Sequence, residues 1–413
     1  MSPSLILLVV VGAAYLAAHF VFDWVARRFL IVSAAEYLVL GILIGPQVSH
    51  SLDTRVLDSL TPIITLALGW IAVIVGTRFE LRRLLVIPSR AFRIAFTESS
   101  ITLLVVAGLE FLLLRWTIAA TDPLALEAAI TLGTMAVASS SVGVTLISSV
   151  LGTRGRVVEQ LELSSAVNGF VAIVAFGLLL CYQHPPVPMY RPLTTTEWAV
   201  VSVALGVVGG ALFHVFLGDT PEPDRLFISL VGAVVLVSGA ATYVRVSPLL
   251  AAMMFGITLV NSTSEPDRLV AALRRVEQPF YYVLLVFGGA SWQPSERAWV
   301  APVLMFIVAR AACKIGGSRL ATRANGALGE LGPRWGLGLL GQGRLTLAIG
   351  INSLHQESIV FRNLIFTAAV ASIILTEFFS ARLARFAVAG GGPGGEGEPG
   401  EPGEPSQSRA SEA

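Results

Sequence analysis

Thirteen mostly apolar runs follow one another along this chain, and that repetition leaves few folds open to it. They cover residues 3–22, 30–47, 60–77, 91–114, 123–150, 157–181, 196–217, 226–244, 246–260, 279–290, 298–320, 335–354 and 359–386. About 20 apolar residues in a helix cross the hydrocarbon core of a bilayer. A helix is also the form that satisfies its own backbone there, short of a closed barrel. The expectation is therefore an all-α, polytopic membrane protein of about 13 transmembrane helices. Only 13% of the residues are charged, against roughly 25% in a soluble globular chain.

Within these runs, polar residues are costly unless paired, and so mark candidate sites. The sixth run contains Glu162–Val174, ELSSAVNGFVAIV, with Ser164, Ser165 and Asn168 followed by Gly169. Ser139, Ser140 and Ser141, followed by Val142 and Gly143, interrupt the fifth run, and Gly338–Arg344, GLLGQGR, interrupts the twelfth. Paired interruptions of this kind mark broken helices whose free N–H and C=O groups line a transporter site. The alternative for each is close packing of small residues between helices. Glu98 lies in the fourth run, and Arg310 and Lys314 lie in the eleventh at a spacing that puts them on one helical face. An intramembrane lysine should face a cavity or a carboxylate. Arg344 is placed to neutralise the carbonyl ends of the second broken helix. Glu36, Glu110, Glu127 and Glu377 are read as interfacial or packing residues.

A weak internal repeat supports the same picture. Leu40-Gly41-Ile42-Leu43 recurs in form as Phe255-Gly256-Ile257-Thr258, and Gly76-Thr77-Arg78-Phe79 as Gly289-Ala290-Ser291-Trp292, at offsets of 215 and 213 residues. The partners are an odd number of spans apart, so the two halves are inverted relative to each other, as in many transporters.

Arginine asymmetry sets an orientation. With the N-terminus outside, eighteen arginines fall in inner loops and six in outer ones. This predicts a multi-pass protein of the cell membrane with a cytoplasmic C-terminus. Residues 1–389 form the membrane domain, and residues 390–413, rich in Gly, Pro and Glu, form a disordered cytoplasmic tail. The apolar start lacks a basic region before it and does not read as a cleavable signal.

Other function classes fit poorly. A net charge of +1 gives no general attraction to nucleic acid. Cys181 and Cys313 read as small buried hydrophobes rather than a disulfide. The five histidines are scattered, with no metal-ligand cluster, no phosphate loop and no base partner for the serines. No enzyme, cofactor or metal is implied.

Several stretches together resemble the monovalent cation:proton antiporter superfamily, the sodium/proton exchanger fold. They are Glu36–Pro46 (EYLVLGILIGP), Gly76–Leu84 (GTRFELRRL), Ala138–Val144, Ser247–Asn261, Gly288–Trp292, Lys314-Ile315-Gly316-Gly317 and Gly341-Gln342-Gly343. The resemblance covers about 380 residues in order. It implies a thirteen-helix inverted repeat with two broken crossing helices, usually a homodimer, that exchanges a monovalent cation (Na⁺ or K⁺) for H⁺ by alternating access. In this family an Asp-Asp or Asn-Asp pair in the sixth helix carries the ion. Here the matching pair is Asn168-Gly169, so the carrier carboxylate is missing.

The candidate ion-binding or coupling residues are Ser140, Ser141, Ser165, Asn168, Glu98, Arg310, Lys314, Gln342 and Arg344. Glu98 is the acid best placed to substitute for the missing one, and without its compensation the centre is net positive. Two alternatives stand beside cation exchange: an anion or neutral solute carried through the cationic centre, and a transport-inactive sensor or structural membrane protein.

Overall fold

The computed structural model describes residues 35–48, 54–117, 120–140, 155–185, 193–217, 223–293, 299–356 and 359–389. The first apolar run, Ser141 and the tail from Gly390 lie outside the described residues. Among the described residues the chain is helical, with no strand.

Two helical bundles form the molecule. One contains α1 (Ala35–Ile44), α3 (Thr61–Thr77), α8 (Thr195–Leu217), α9 (Pro223–Tyr243), α10 (Pro248–Ser262) and α12 (Glu277–Ser291). The second contains α5 (Ser89–Thr117), α6 (Asp122–Val137), α7 (Arg156–Tyr182), α13 (Val300–Ala324), α15 (Arg344–Leu354) and α16 (Arg362–Ala389). Short helices α2 (Thr54–Ser59), α4 (Leu81–Leu84), α11 (Pro266–Arg275) and α14 (Leu328–Leu331) lie between spans. Among the described residues, five helices are long and apolar enough to cross a membrane by length and composition, namely 89–117, 156–182, 195–216, 225–243 and 300–324. Others, such as Thr61–Thr77 and Pro248–Ser262, are apolar but shorter.

The internal repeat has a structural meaning. In the first bundle, α3 packs on α10 and α1 packs on α12. A β carbon added at Gly76 would meet Met253 O, Gly256 Cα and Ile257 N, and one added at Gly289 would meet Leu38 O, Gly41 Cα and Ile42 N. The second set is the first displaced by 215 residues. Gly41 and Gly256 face backbone in the same exchanged way, at Val286 and Val73. Backbone meets backbone in both seams, so a side chain at these positions would force the helices apart.

One element departs from expectation. The runs at 246–260 and 279–290 appear as α10 and α12, but α11 joins them where only a connection was read. Its Leu269 and Leu273, one turn apart, are buried, while Arg274 and Arg275 are exposed. Ten residues with that much charge carry no spanning signal, but Leu269 and Leu273 form an amphipathic stripe between an acidic first turn and a basic last turn, a helix pattern that a reading for spans alone passes over. Glu110 also differs from the interfacial reading. It is fully buried on α5, and neither carboxylate oxygen has a hydrogen-bond partner among the described residues.

Candidate ion site at the helix crossing

Both interrupted runs break, and the breaks touch. Helix α6 stops at Val137, where Ala138 turns to an extended ψ of 125°. In the later half, a 3-10 turn at Trp335–Leu339 gives way to residues without helical structure before α15 resumes at Arg344. The Ser140 N–H donates to Gly341 O at 2.9 Å, which joins the two breaks directly.

Helix α7 holds the first break through the polar cluster that stood out in the sequence. The Ser165 hydroxyl donates to Ser139 O at 2.9 Å. Asn168 Nδ2 donates to Ser139 Oγ at 3.2 Å, and its Oδ1 faces the Ser99 hydroxyl of α5. Ser164 Oγ accepts from Gln160 Nε2 at 3.1 Å. All of these residues are buried except Ser139, which is half-buried. Buried polar atoms in an apolar interior need such partners, and here the partners are one another and the broken backbone.

Helix α13 supplies the charges. Arg310 and Lys314, one turn apart, are both buried. Lys314 Nζ donates to Val137 O at 2.8 Å and pairs with Glu98 Oε1 at 3.0 Å, both side chains being fully buried. Thr102 Oγ1 donates to the same carboxylate oxygen at 3.0 Å, whereas Glu98 Oε2 has no hydrogen-bond partner among the described residues. Arg310 donates to Leu340 O at 2.8 Å and Ala138 O at 3.2 Å, with longer contacts to Leu339 O and Gly341 O. One guanidinium thus serves the carbonyls of both breaks. Gln342 Nε2 adds a bond to Met135 O at 3.3 Å.

The charge balance follows from these contacts. Two cations face one carboxylate and the carbonyls of both breaks, so Glu98 and these carbonyls both offset the positive charge of Arg310 and Lys314. The carbonyl ends expected to be served by Arg344 are bonded by Arg310, and Arg344 pairs with Glu277 of the other bundle, its guanidinium 5.6 Å from the Tyr281 ring centre. The reason is polarity. Arg344 opens α15, so the free groups beside it on its own helix are N–H donors, not carbonyls.

The structure thus gathers Glu98, Arg310, Lys314, Ser140, Ser165, Asn168 and Gln342 around one crossing and places Arg344 at its edge. Sequence reasoning passed over Ser99 and Glu277. Ser99 follows Glu98 directly, and Glu277 opens an apolar helix, but neither position shows its partner without the fold. A β carbon at Gly169 would lie 3.1 Å from Val75 Cγ1 and 3.5 Å from Leu345 Cδ2, so this position lies where the bundles pack together. The Phe79 and Phe170 rings also meet there, 5.0 Å apart.

Comparison with known proteins agrees with this architecture. The family model described as "Sodium/hydrogen exchanger, transmembrane" matches residues 16–386. The structure of the sodium proton antiporter MjNhaP1 from Methanocaldococcus jannaschii at pH 8 superposes with a TM-score of 0.65 at 15% identity, over 93% of this chain and 99% of that one. An electron-microscopy structure of MjNhaP1 gives a TM-score of 0.62 at 16% identity, covering 92% and 97% of the two chains. No curated protein sequence matches the chain.

Proposed function

The chain belongs to the sodium/hydrogen exchanger family of membrane transporters, and on that premise we propose that it exchanges a monovalent cation for protons with Glu98 as the titrating acid. The observation that carries this reading is the position of Glu98. It is a buried carboxylate at the crossing of two broken helices, and one of its oxygens has no hydrogen-bond partner among the described residues. Exchange requires one group that a proton and a cation cannot occupy together. Glu98 meets that requirement where Asn168-Gly169 does not, since an amide does not titrate.

In this reading Lys314 is the internal counter-ion. A cation arriving at Glu98 displaces the ammonium, which keeps its bond to Val137 O. Ser139, Ser140, Ser165 and Asn168 contribute neutral oxygens, and Arg310 holds the two breaks in register while the charge changes. The protein works in the cell membrane by alternating access, as a homodimer, with its N-terminus outside and its C-terminal tail in the cytoplasm.

A second reading, a transport-inactive membrane protein on the same scaffold, draws on the same pair, because Lys314 already occupies Glu98. Purified protein in proteoliposomes with a lumenal pH dye separates the two. Addition of Na⁺, K⁺ or Li⁺ outside should drive proton movement, and Glu98→Gln should abolish it. Absence of cation-dependent flux from folded, inserted protein overturns the exchange reading. Flux that survives Glu98→Gln removes Glu98 from the carrier role.

A further inference from the structure

The pairing of Arg344 with Glu277 joins a helix of one bundle to a helix of the other, whereas Arg83–Asp267, Arg90–Glu330 and Arg156–Glu330 involve the short helices between spans and Arg115–Asp122 links consecutive helices of one bundle. Arg344 is the first residue of α15, directly after the second break, and Glu277 is the first residue of α12 in the other bundle. Both side chains are largely withdrawn from solvent, at 21% and 14% exposure.

Helix polarity makes this contact informative. A cation at a helix N-terminus is opposed by its own macrodipole, whereas a carboxylate there is favoured. The charge of Arg344 is thus poorly placed on α15 and is compensated from α12. Tyr281, one turn after Glu277 on the same face, adds its ring to the guanidinium. Next along the chain, Leu345 lies beside the Gly169 position, so the contact borders the candidate ion site.

We infer that Glu277, with Tyr281, is a positioning group that latches the broken-helix bundle to its neighbour, and that this latch opens whenever the bundles move past each other. The inference rests on the alternating-access reading above. An ion pair is lost once its charged atoms separate beyond about 4 Å, so even a small slide of one bundle on the other breaks it. The contact therefore favours the arrangement seen in the structure over any other.

The test is a distance measurement that does not depend on transport. Nitroxide labels on cysteines introduced at Ile63 of α3 and Leu104 of α5, both exposed and one in each bundle, are read by double electron–electron resonance in nanodiscs. The unsubstituted pair should give one dominant distance. Glu277→Gln and Arg344→Gln should each raise the share of a second distance by about ten-fold, and the double variant should go no further than either single one. Unchanged distances in the folded single variants overturn the latch, as does a double-variant effect equal to the sum of the two. Should a glutamine variant not fold, Glu277→Asp and Arg344→Lys carry the same comparison. A smaller shift in the same direction then supports the latch, and no shift overturns it. A second distance without cation-dependent flux keeps the latch and removes exchange. Flux with unaltered distances removes the latch alone.

Discussion

The two halves of the chain meet in two unlike ways. In the seams of the first bundle they are interchangeable: what Gly76 meets on α10, Gly289 meets on α1. At the helix crossing they are not. The first half supplies a carboxylate and neutral groups, namely Glu98, Ser99, Ser139, Ser165 and Asn168, while the second half supplies Arg310, Lys314 and Arg344. The seams are backbone against backbone, so both copies of the repeat obey the same steric limit. The crossing has one centre for both halves, and each charge is needed there once.

The sharpest way to break this comparison is to remove a charge from one side only. Lys314→Met leaves Glu98 buried without its cation and should cost about 3–5 kcal/mol, read as lost thermal stability in detergent. The double variant Glu98→Leu with Lys314→Met should recover most of that loss. A single variant as stable as the native protein would mean that the pair does not bind the halves together.

The seams make the opposite prediction, of equality. Gly76→Ala and Gly289→Ala should each destabilise by about 1–3 kcal/mol, because the added carbon meets backbone that has nowhere to move. Thermal shifts of the two variants that differ by more than about 1 kcal/mol would show that the seams only look alike.

The last variant, Gly169→Asp, gives the first half a second acid. Its β carbon would meet the stiff, β-branched side chain of Val75 at 3.1 Å, and the new carboxyl would be buried, so the variant should lower thermal stability. The same variant should create or strengthen cation-dependent flux in proteoliposomes. A folded variant without flux would indicate that charge at this position is insufficient in this scaffold.

Much of the architecture was legible in the residues. The apolar runs, the breaks at Ser139–Ser141 and Gly338–Arg344, the repeat at Gly41/Gly256 and Gly76/Gly289, and the glycine at position 169 can all be read from spacing, composition and family motif. Helix α11 was legible too, as an amphipathic stripe of Leu269 and Leu273, but not as a span, because ten residues carrying that much charge show no spanning signal. The polar cluster Ser164, Ser165 and Asn168 was visible, but its occupation was not. It signalled a group to be bound, and at Ser139 that group is the chain itself.

What the sequence by itself determined is the set of groups held within the apolar interior, since transfer from water penalises each of them wherever it lies. What only the tertiary structure decided is which group satisfies which. Arginine, lysine and glutamate have long side chains, and several partners lie within reach at one crossing of helices distant in sequence. Packing brings Arg310 to the broken carbonyl ends, Lys314 to Glu98, and Arg344 across to Glu277. Helix direction is the physical reason. The break in α6 and the end of the 3-10 turn present carbonyls to α13, while the start of α15 presents N–H groups and directs its cation to the other bundle.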